Sequence, residues 1–369
     1  MTRTATRSVI GLGFFIAAAI APAAVSQDVP PRCDDLFALN ANVSKKSDRT
    51  GELGAELDEK HWRRLSANYT DEALVATFRA ATEEAEIRTA SLTGLSAPDF
   101  RHLVFERSKS VLTQKLTDDP GIPSHLLKQL VERVSGVTLI SAAQYVEAYV
   151  GNEKAGGSSL PDTQLRSYGY RQYMSSCGRN GLSPNAFHDQ FGTTQFIVVC
   201  PGLLLDAHDY GISQQDLITT LSYTMGHELG HAIDASIFPH LYGEMGRCYQ
   251  DITGYPLWDY GTLYGTMRDE IVADHWGAVV LAEVLRTRPG GPVSPDGVAR
   301  IIAYATNPYG ETTDDPDGEP QLHAPPAFRV NQTLARHPDM VQLLRCPVAG
   351  PGNPTCTLGG KLLATPPSG

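Results

Sequence analysis

The sequence predicts an α+β fold that is mainly α, with its sheet confined to one short region. Three observations carry this expectation. Apolar residues recur at spacings of three and four through most of residues 60–150, and again over 214–238 and 267–288. One β-branched, apolar run, "QFIVVCPGLL" at 195–204, lies between Gly192 and Pro201-Gly202 and reads as a strand. The length of 369 residues and the 41% hydrophobic content suit one large globular domain or two of ordinary size.

The chain opens on a segment that does not belong to that fold. Arg3 and Arg7 precede the apolar run "VIGLGFFIAAAIAPAA", which ends in small residues before "VSQDVPP". This order of basic, apolar and small residues predicts a signal peptide over residues 1–26, cleaved near Ser26. The run is too short and too rich in Ala and Gly to span a bilayer comfortably. The expected product is exported, periplasmic or extracellular, without stable membrane association after cleavage. Its formal charge of −11 before cleavage argues against a nucleic-acid partner, which calls for clustered Lys and Arg. Cys33, Cys177, Cys200, Cys248, Cys346 and Cys356 all fall in the exported part, none in a CxxC spacing. An even set in an oxidising compartment predicts disulfides, with the pairing left open.

Residues 27–58 read as an irregular lead-in. Helices are then expected in "DEALVATFRAATEEAEIRTA", "SAPDFRHLVFERSKSVLTQKL" and "PSHLLKQLVERVSGV", with starts at Ser96 and Ser124. Together 27–180 form an N-terminal, mainly helical region, interrupted by the loop "GNEKAGGSSLPD". Residues 181–346 hold the strand, a long amphipathic helix at 214–238, an aromatic and glycine-rich stretch at 239–265 without clear period, and a helix at 267–288 stopped by Pro289-Gly290-Gly291. A Gly-, Pro- and Asp-rich loop (307–320) leads to "HAPPAFRVNQTLARHPDMVQLLRC", helical in its second half. Residues 347–369 read as a Pro/Gly-rich tail.

Chemistry concentrates in "LSYTMGHELGHAIDASIF". On a helix, His227 and His231 lie one turn apart on the same face and can point at one metal ion, with Glu228 beside them. Zinc takes nitrogen and carboxylate oxygen in a tetrahedral shell, and a catalytic site keeps one position for water. The third ligand is expected from "RDEIVADHWG", where Glu270 lies on the next helix and Asp274 one turn later. Asp274 and Asp234 can accept the outer ring proton of a ligand histidine. Glu228 is then placed as general base, taking a proton from water that the zinc acidifies. The expected reaction is amide hydrolysis, and the one expected cofactor is Zn2+. His275 and His240 read as packing or surface residues, and Tyr242, Tyr249, Tyr255, Trp258, Tyr260 and Tyr264 as packing. His188 suits a cleft or a solvent-facing position equally, and "TTDDPDGE" a solvated loop.

At "HAPPAFRVNQTL" the chain resembles the neprilysin-like zinc metallopeptidases, the group that includes endothelin-converting enzyme. "NAFHDQFGTTQFIVVCPGLL", "GHELGHAID", "EIVAD" and "HAPPAFRVN" are similar to four of that family's blocks, in its order. The resemblance implies a thermolysin-like gluzincin core over roughly 181–346. It gives zinc ligation to His227, His231 and Glu270, the base role to Glu228, and orientation of a ligand histidine to Asp274, with Asp234 at the matching acidic position. It further implies that His323 stabilises the tetrahedral intermediate and that Arg329 holds a substrate carbonyl. Asn185 and Ala186 would pair with substrate main chain as an added strand. Family members are much longer and carry a large helical lid, so 27–180 would be a reduced form of it. The family's glycine–phenylalanine–aspartate is Ala232-Ile233-Asp234 here, and a second arginine is Ala327.

The function expected is an exported zinc metalloendopeptidase or oligopeptidase acting on peptide or polypeptide substrates. Two other readings fit the same residues: a zinc-containing peptide-binding protein without turnover, and an HExxH protease held to the membrane by a retained leader.

Overall fold

The computed structural model describes residues 33, 35–40, 49–63, 65, 70–209, 213–253, 264–306, 326–346 and 355–362. The leader 1–26, the acidic run 312–319 and His323 lie outside them. Helix dominates. The segment expected as an irregular lead-in instead holds two helices, α1 (Leu36–Asn40) and α2 (Arg49–Leu57). Leu53 and Leu57 bury one face of α2, which is why it orders in spite of its polar sequence.

The next helices start and stop where their side chains cap them. In α3 (Asp71–Thr93) the Thr70 hydroxyl accepts from the Ala73 N–H, and Gly94 closes the helix at φ 72°. Ser96 and Asp99 bond each other at the start of the segment that runs through a wide π-helical turn, Arg101–Phe105, into α4 (Glu106–Asp118). After α5 (Ser124–Gly136) comes a strand that periodicity did not reveal, β1 (Thr138–Ile140). A capping box of Ser141 and Gln144 opens α6 (Ala142–Ala155). Helix α7 (Asp162–Cys177) follows.

The sheet has three strands in the order β1-β3-β2, with β2 (Ala186–Phe191) at an edge. β3 (Thr194–Val199) runs parallel to β1 and antiparallel to β2, and Gly192 turns the hairpin at φ 61°. Both faces of β3 are covered. Phe196 and Val198 enter an aromatic core with Phe78, Tyr145, Tyr170 and Tyr173, whereas Ile197 faces the other core. Two-sided burial explains why the strand reads as a continuous apolar run. That run stops at Val199, short of the residue-204 end expected from sequence. Pro201 lacks an N–H for the ladder and starts α8 (Pro201–Asp209) instead.

Helix α9 (Gln214–His231) carries the HExxH motif, with Ser213 as its cap. It ends seven residues before the expected boundary because the Asp234 carboxylate accepts the N–H groups of Ser236 and Ile237, a local alternative to further helix. Inside the stretch without a clear period lies α10 (Gly243–Thr253), whose Met245, Cys248 and Tyr249 are buried. α11 (Tyr264–Arg286) packs along α9, and α12 (Pro295–Thr306) and α13 (Pro338–Leu344) close over its far end. Within the segment read as a tail, β4 (Thr355–Thr357) and β5 (Gly360–Leu362) form a hairpin.

One core joins Phe100, Val104, Leu112 and Leu130 to Met225, Leu229, Val272 and Trp276, so residues on both sides of position 180 share it. Three disulfides cross-link the chain, Cys33–Cys346, Cys177–Cys200 and Cys248–Cys356, the last two buried within the cores. That set fits an oxidising compartment. Among the described residues no helix is long and apolar enough to cross a membrane.

Candidate metal centre

The centre is assembled by the close contact of α9 with α11. Gly226 on one helix meets Gly277 and Val280 on the other, and a Cβ at Gly226 would lie 2.8 Å from Val280 Cβ. A Cβ at Gly230 would lie 2.9 Å from Ala273 Cα. Small residues thus bring the two backbones together at the level of His227 and His231. At that level the side chains of Glu270 and Asp274 reach across.

His227, His231 and Glu270 form the group among the described residues whose ligand atoms converge. His227 Nε2 lies 3.3 Å from His231 Nε2 and 3.2 Å from Glu270 Oε2, and His231 Nε2 lies 3.6 Å from Glu270 Oε1. A tetrahedral ion bound at 2.0–2.1 Å requires ligand atoms about 3.3 Å apart, so these separations match the edges of such a shell. The tautomers point the same way. His227 Nδ1 faces Asp274 Oδ1 at 3.0 Å, which assigns it the proton and leaves Nε2 a lone pair. Asp234 Oδ2 stands 3.9 Å from His231 Nδ1, beyond hydrogen-bond length, and favours a proton there through its charge. Two imidazole lone pairs and a carboxylate edge therefore meet in one spot, an arrangement a cation stabilises.

Asp274 is the anchor of the outer contacts. It has no exposed surface and receives Tyr223 Oη at 2.7 Å and Arg329 Nε and Nη2 at 2.7 Å each, besides His227. Burial alone would push its carboxyl up. The charge and bonds of Arg329, together with His227, outweigh burial and hold it well below the usual carboxylate range. Sequence reasoning missed Tyr223, although its place one turn before His227 put it on the same helix face.

Glu228 is buried beside the two histidines. Burial raises its carboxyl, the histidines lower it, Glu270 raises it again, and the backbone N–H of His188 donates to it, with a net shift upward. For His231, burial lowers the ring, and Asp234 and Glu270 raise it further than that, so it ends above the ordinary value.

A cleft of about 400 Å³ opens over these residues. Asn185, Ala186, Phe187 and His188 of the edge-strand region form one wall, and Thr224, Leu203 and Ala305 line it elsewhere. His188 faces this cleft. Burial first, then the neighbouring His231, push its ring down to about 4, and Gln195 Oε1 lies 3.1 Å from its Nε2.

The structure thus gathers His227, Glu228, His231, Asp234 and Glu270 at one cleft, with Asn185 and Ala186 on its rim. Arg329 is only 1% exposed and is not among the cleft's lining residues; it grips Asp274 from behind. His275 is buried against His337 and Trp276, whereas His240 is exposed. Tyr242 and Tyr249 are packed, Tyr242 Oη donating to the Ile233 carbonyl. No family model matches this chain, and no curated protein matches it.

Proposed function

We propose that this chain is an exported zinc metalloendopeptidase or oligopeptidase that hydrolyses peptide bonds. The observation that carries the reading is the triangle of His227 Nε2, His231 Nε2 and the Glu270 carboxylate, whose edges of 3.2–3.6 Å suit a tetrahedral ion with one position left for water. The resemblance to neprilysin-like metallopeptidases supports the same choice. So do the leader-like N-terminus and the three disulfides, which fit an exported enzyme.

The chemistry supplied by zinc in such a site is polarisation of the scissile carbonyl and acidification of water. Everything else falls to the chain. His227 and His231 offer Nε2 because Asp274 and Asp234 favour protons on Nδ1. Glu228, next to the cleft floor and not part of the triangle, takes the proton from water and returns it to the leaving amine. The Asn185 carbonyl accepts the Cys200 N–H, so residue 185 faces β3 and the main chain at Ala186 and His188 is turned outward. An extended peptide can add there as a further strand. His323 would complete oxyanion stabilisation on the family pattern.

The test pairs metal content with cleavage of a quenched peptide library. Wild type should carry one zinc per chain and lose cleavage to a chelator. Glu228→Gln should keep the metal and lose roughly 10²- to 10⁴-fold in kcat, the scale of general-base catalysis. Metal without any cleavage in the wild type would transfer the chain to the peptide-binding class; no stoichiometric metal would end the reading.

A further inference from the structure

A second cavity, about 290 Å³, shares a wall with the cleft. Val199, which lines it, is the register partner of Ala186, which lines the cleft. Leu204 and Leu203, adjacent on α8, line the one and the other. Its walls are mostly apolar, with Phe100, Leu139 and Leu204 prominent, and its size falls near the lower end for small-molecule sites. Glu86 and Thr89 of α3 are among its lining residues. Thr89 is 1% exposed and its hydroxyl is covered, so it offers no polar atom to an occupant. One turn earlier stands Glu86, for which no ion pair or hydrogen bond is found among the described residues. A half-buried carboxylate without a partner, set against an apolar wall, is a group that a cation would stabilise.

We propose that this cavity binds a small apolar molecule bearing one protonated amine, the ammonium held by the Glu86 carboxylate, the apolar body laid against Phe100, Leu139 and Leu204. The charge balance favours an amine over an acid. Glu83, in the preceding turn, adds to the negative potential at Glu86. Arg101 is the one cation of the lining, and its side chain is 59% exposed at the rim, 4.0 Å from Glu106. An occupant would press on Val199 and Leu204, the back of the wall that carries Ala186 and Leu203.

Ligand-observed NMR titrations of the full exported chain test this with phenethylamine, phenethyl alcohol and phenylpropionate. Phenethylamine should saturate with an affinity on the order of millimolar, as a ligand of that size allows. The alcohol and the acid should bind roughly tenfold more weakly or not at all, since a hydrogen bond to a charged group is worth about that factor. Glu86→Gln should weaken the amine by a similar factor, and Ala90→Trp, which fills the cavity, should abolish its binding. Circular dichroism and the melting temperature confirm that each variant folds. Equal affinity for the acid, an unchanged affinity in Glu86→Gln, or an amine still bound in Ala90→Trp would each overturn the proposal. Failure of phenethylamine to saturate would do the same. Because binding here involves neither metal nor cleavage, the result is independent of the peptidase test above.

Discussion

Asp274 shows how much of the centre rests on a side chain that stands outside the His227–His231–Glu270 group. Its two oxygens are shared among Tyr223, His227 and both arms of Arg329, all buried. Asp274→Asn keeps the shape and removes the charge that assigns the His227 tautomer. Zinc affinity, read by competition with a fluorescent chelator, should fall roughly ten- to hundredfold. An unchanged affinity would show that the aspartate does not orient the ligand. Arg329→Met asks a different question, because it leaves a fully buried carboxylate with its main cation gone. Stripping one partner from such a pair costs about 3–5 kcal/mol, and Tyr223 and His227 should keep the loss toward the lower figure. Urea denaturation of metal-free protein measures this; a loss under about 1 kcal/mol would mean the carboxylate had simply taken up a proton.

Helices α9 and α11 are positioned by what they lack. Gly226→Ala would set a Cβ 2.8 Å from Val280 Cβ and 3.0 Å from Gly277 Cα, so the helices must separate. Overpacking of this kind costs about 1–3 kcal/mol. The separation also widens the gap between His227 and Glu270, so zinc affinity should fall with stability. Gly136→Ala in α5 is the control, with nothing within 4 Å of the added Cβ. It should be neutral or stabilise by up to about 1 kcal/mol. Equal effects at the two glycines would refute a packing role for Gly226. Helices of this kind were the legible part of the sequence. The i, i+4 histidines and the acidic helix after them are local patterns, and the structure joins them as their spacing predicts. α10 was legible but overlooked: Met245, Cys248, Tyr249 and Ile252 recur at i, i+3, i+4 and i+7, a helical face set within a stretch whose glycines and aromatic residues otherwise read as irregular. β1 was hidden because three residues beside two helices give no periodicity of their own. The early end of α9 depends on one aspartate bonding its own backbone, a choice propensity does not reveal.

At the scale of the whole molecule the disulfides and the acid sensitivity belong together. Their pairing was open in the sequence because it depends on which distant segments the core brings side by side: Cys33 reaches Cys346 across a separation of 313 residues. That bond ties α1 to the end of α13, and α13 is capped by His337, whose Nδ1 accepts the Asp339 N–H. His337 lies against His275 with ring centroids 4.9 Å apart, and both are buried. Burial, with Arg286 nearby, pushes His337 down to about 3, and burial followed by the charge of His337 pushes His275 well below its ordinary value. The folded chain therefore keeps both rings neutral, whereas the unfolded chain protonates them near pH 6.5. Below that pH the unfolded state binds more protons, so stability rises with pH through this window. The contribution is complete above about pH 6.5 and is lost as the pH falls toward 3. Between pH 7 and 5 His337 alone should remove about 2 kcal/mol, and His275 acts in the same direction. Urea midpoints measured without reductant, and with chelator so that His227 and His231 do not report metal loss, give the slope. In His275→Phe combined with His337→Asn, which keeps a capping side chain, the fall between pH 7 and 5 should shrink by at least about 2 kcal/mol. An acid slope equal to that of the wild type would place the proton uptake elsewhere and leave this buried pair without a part in it.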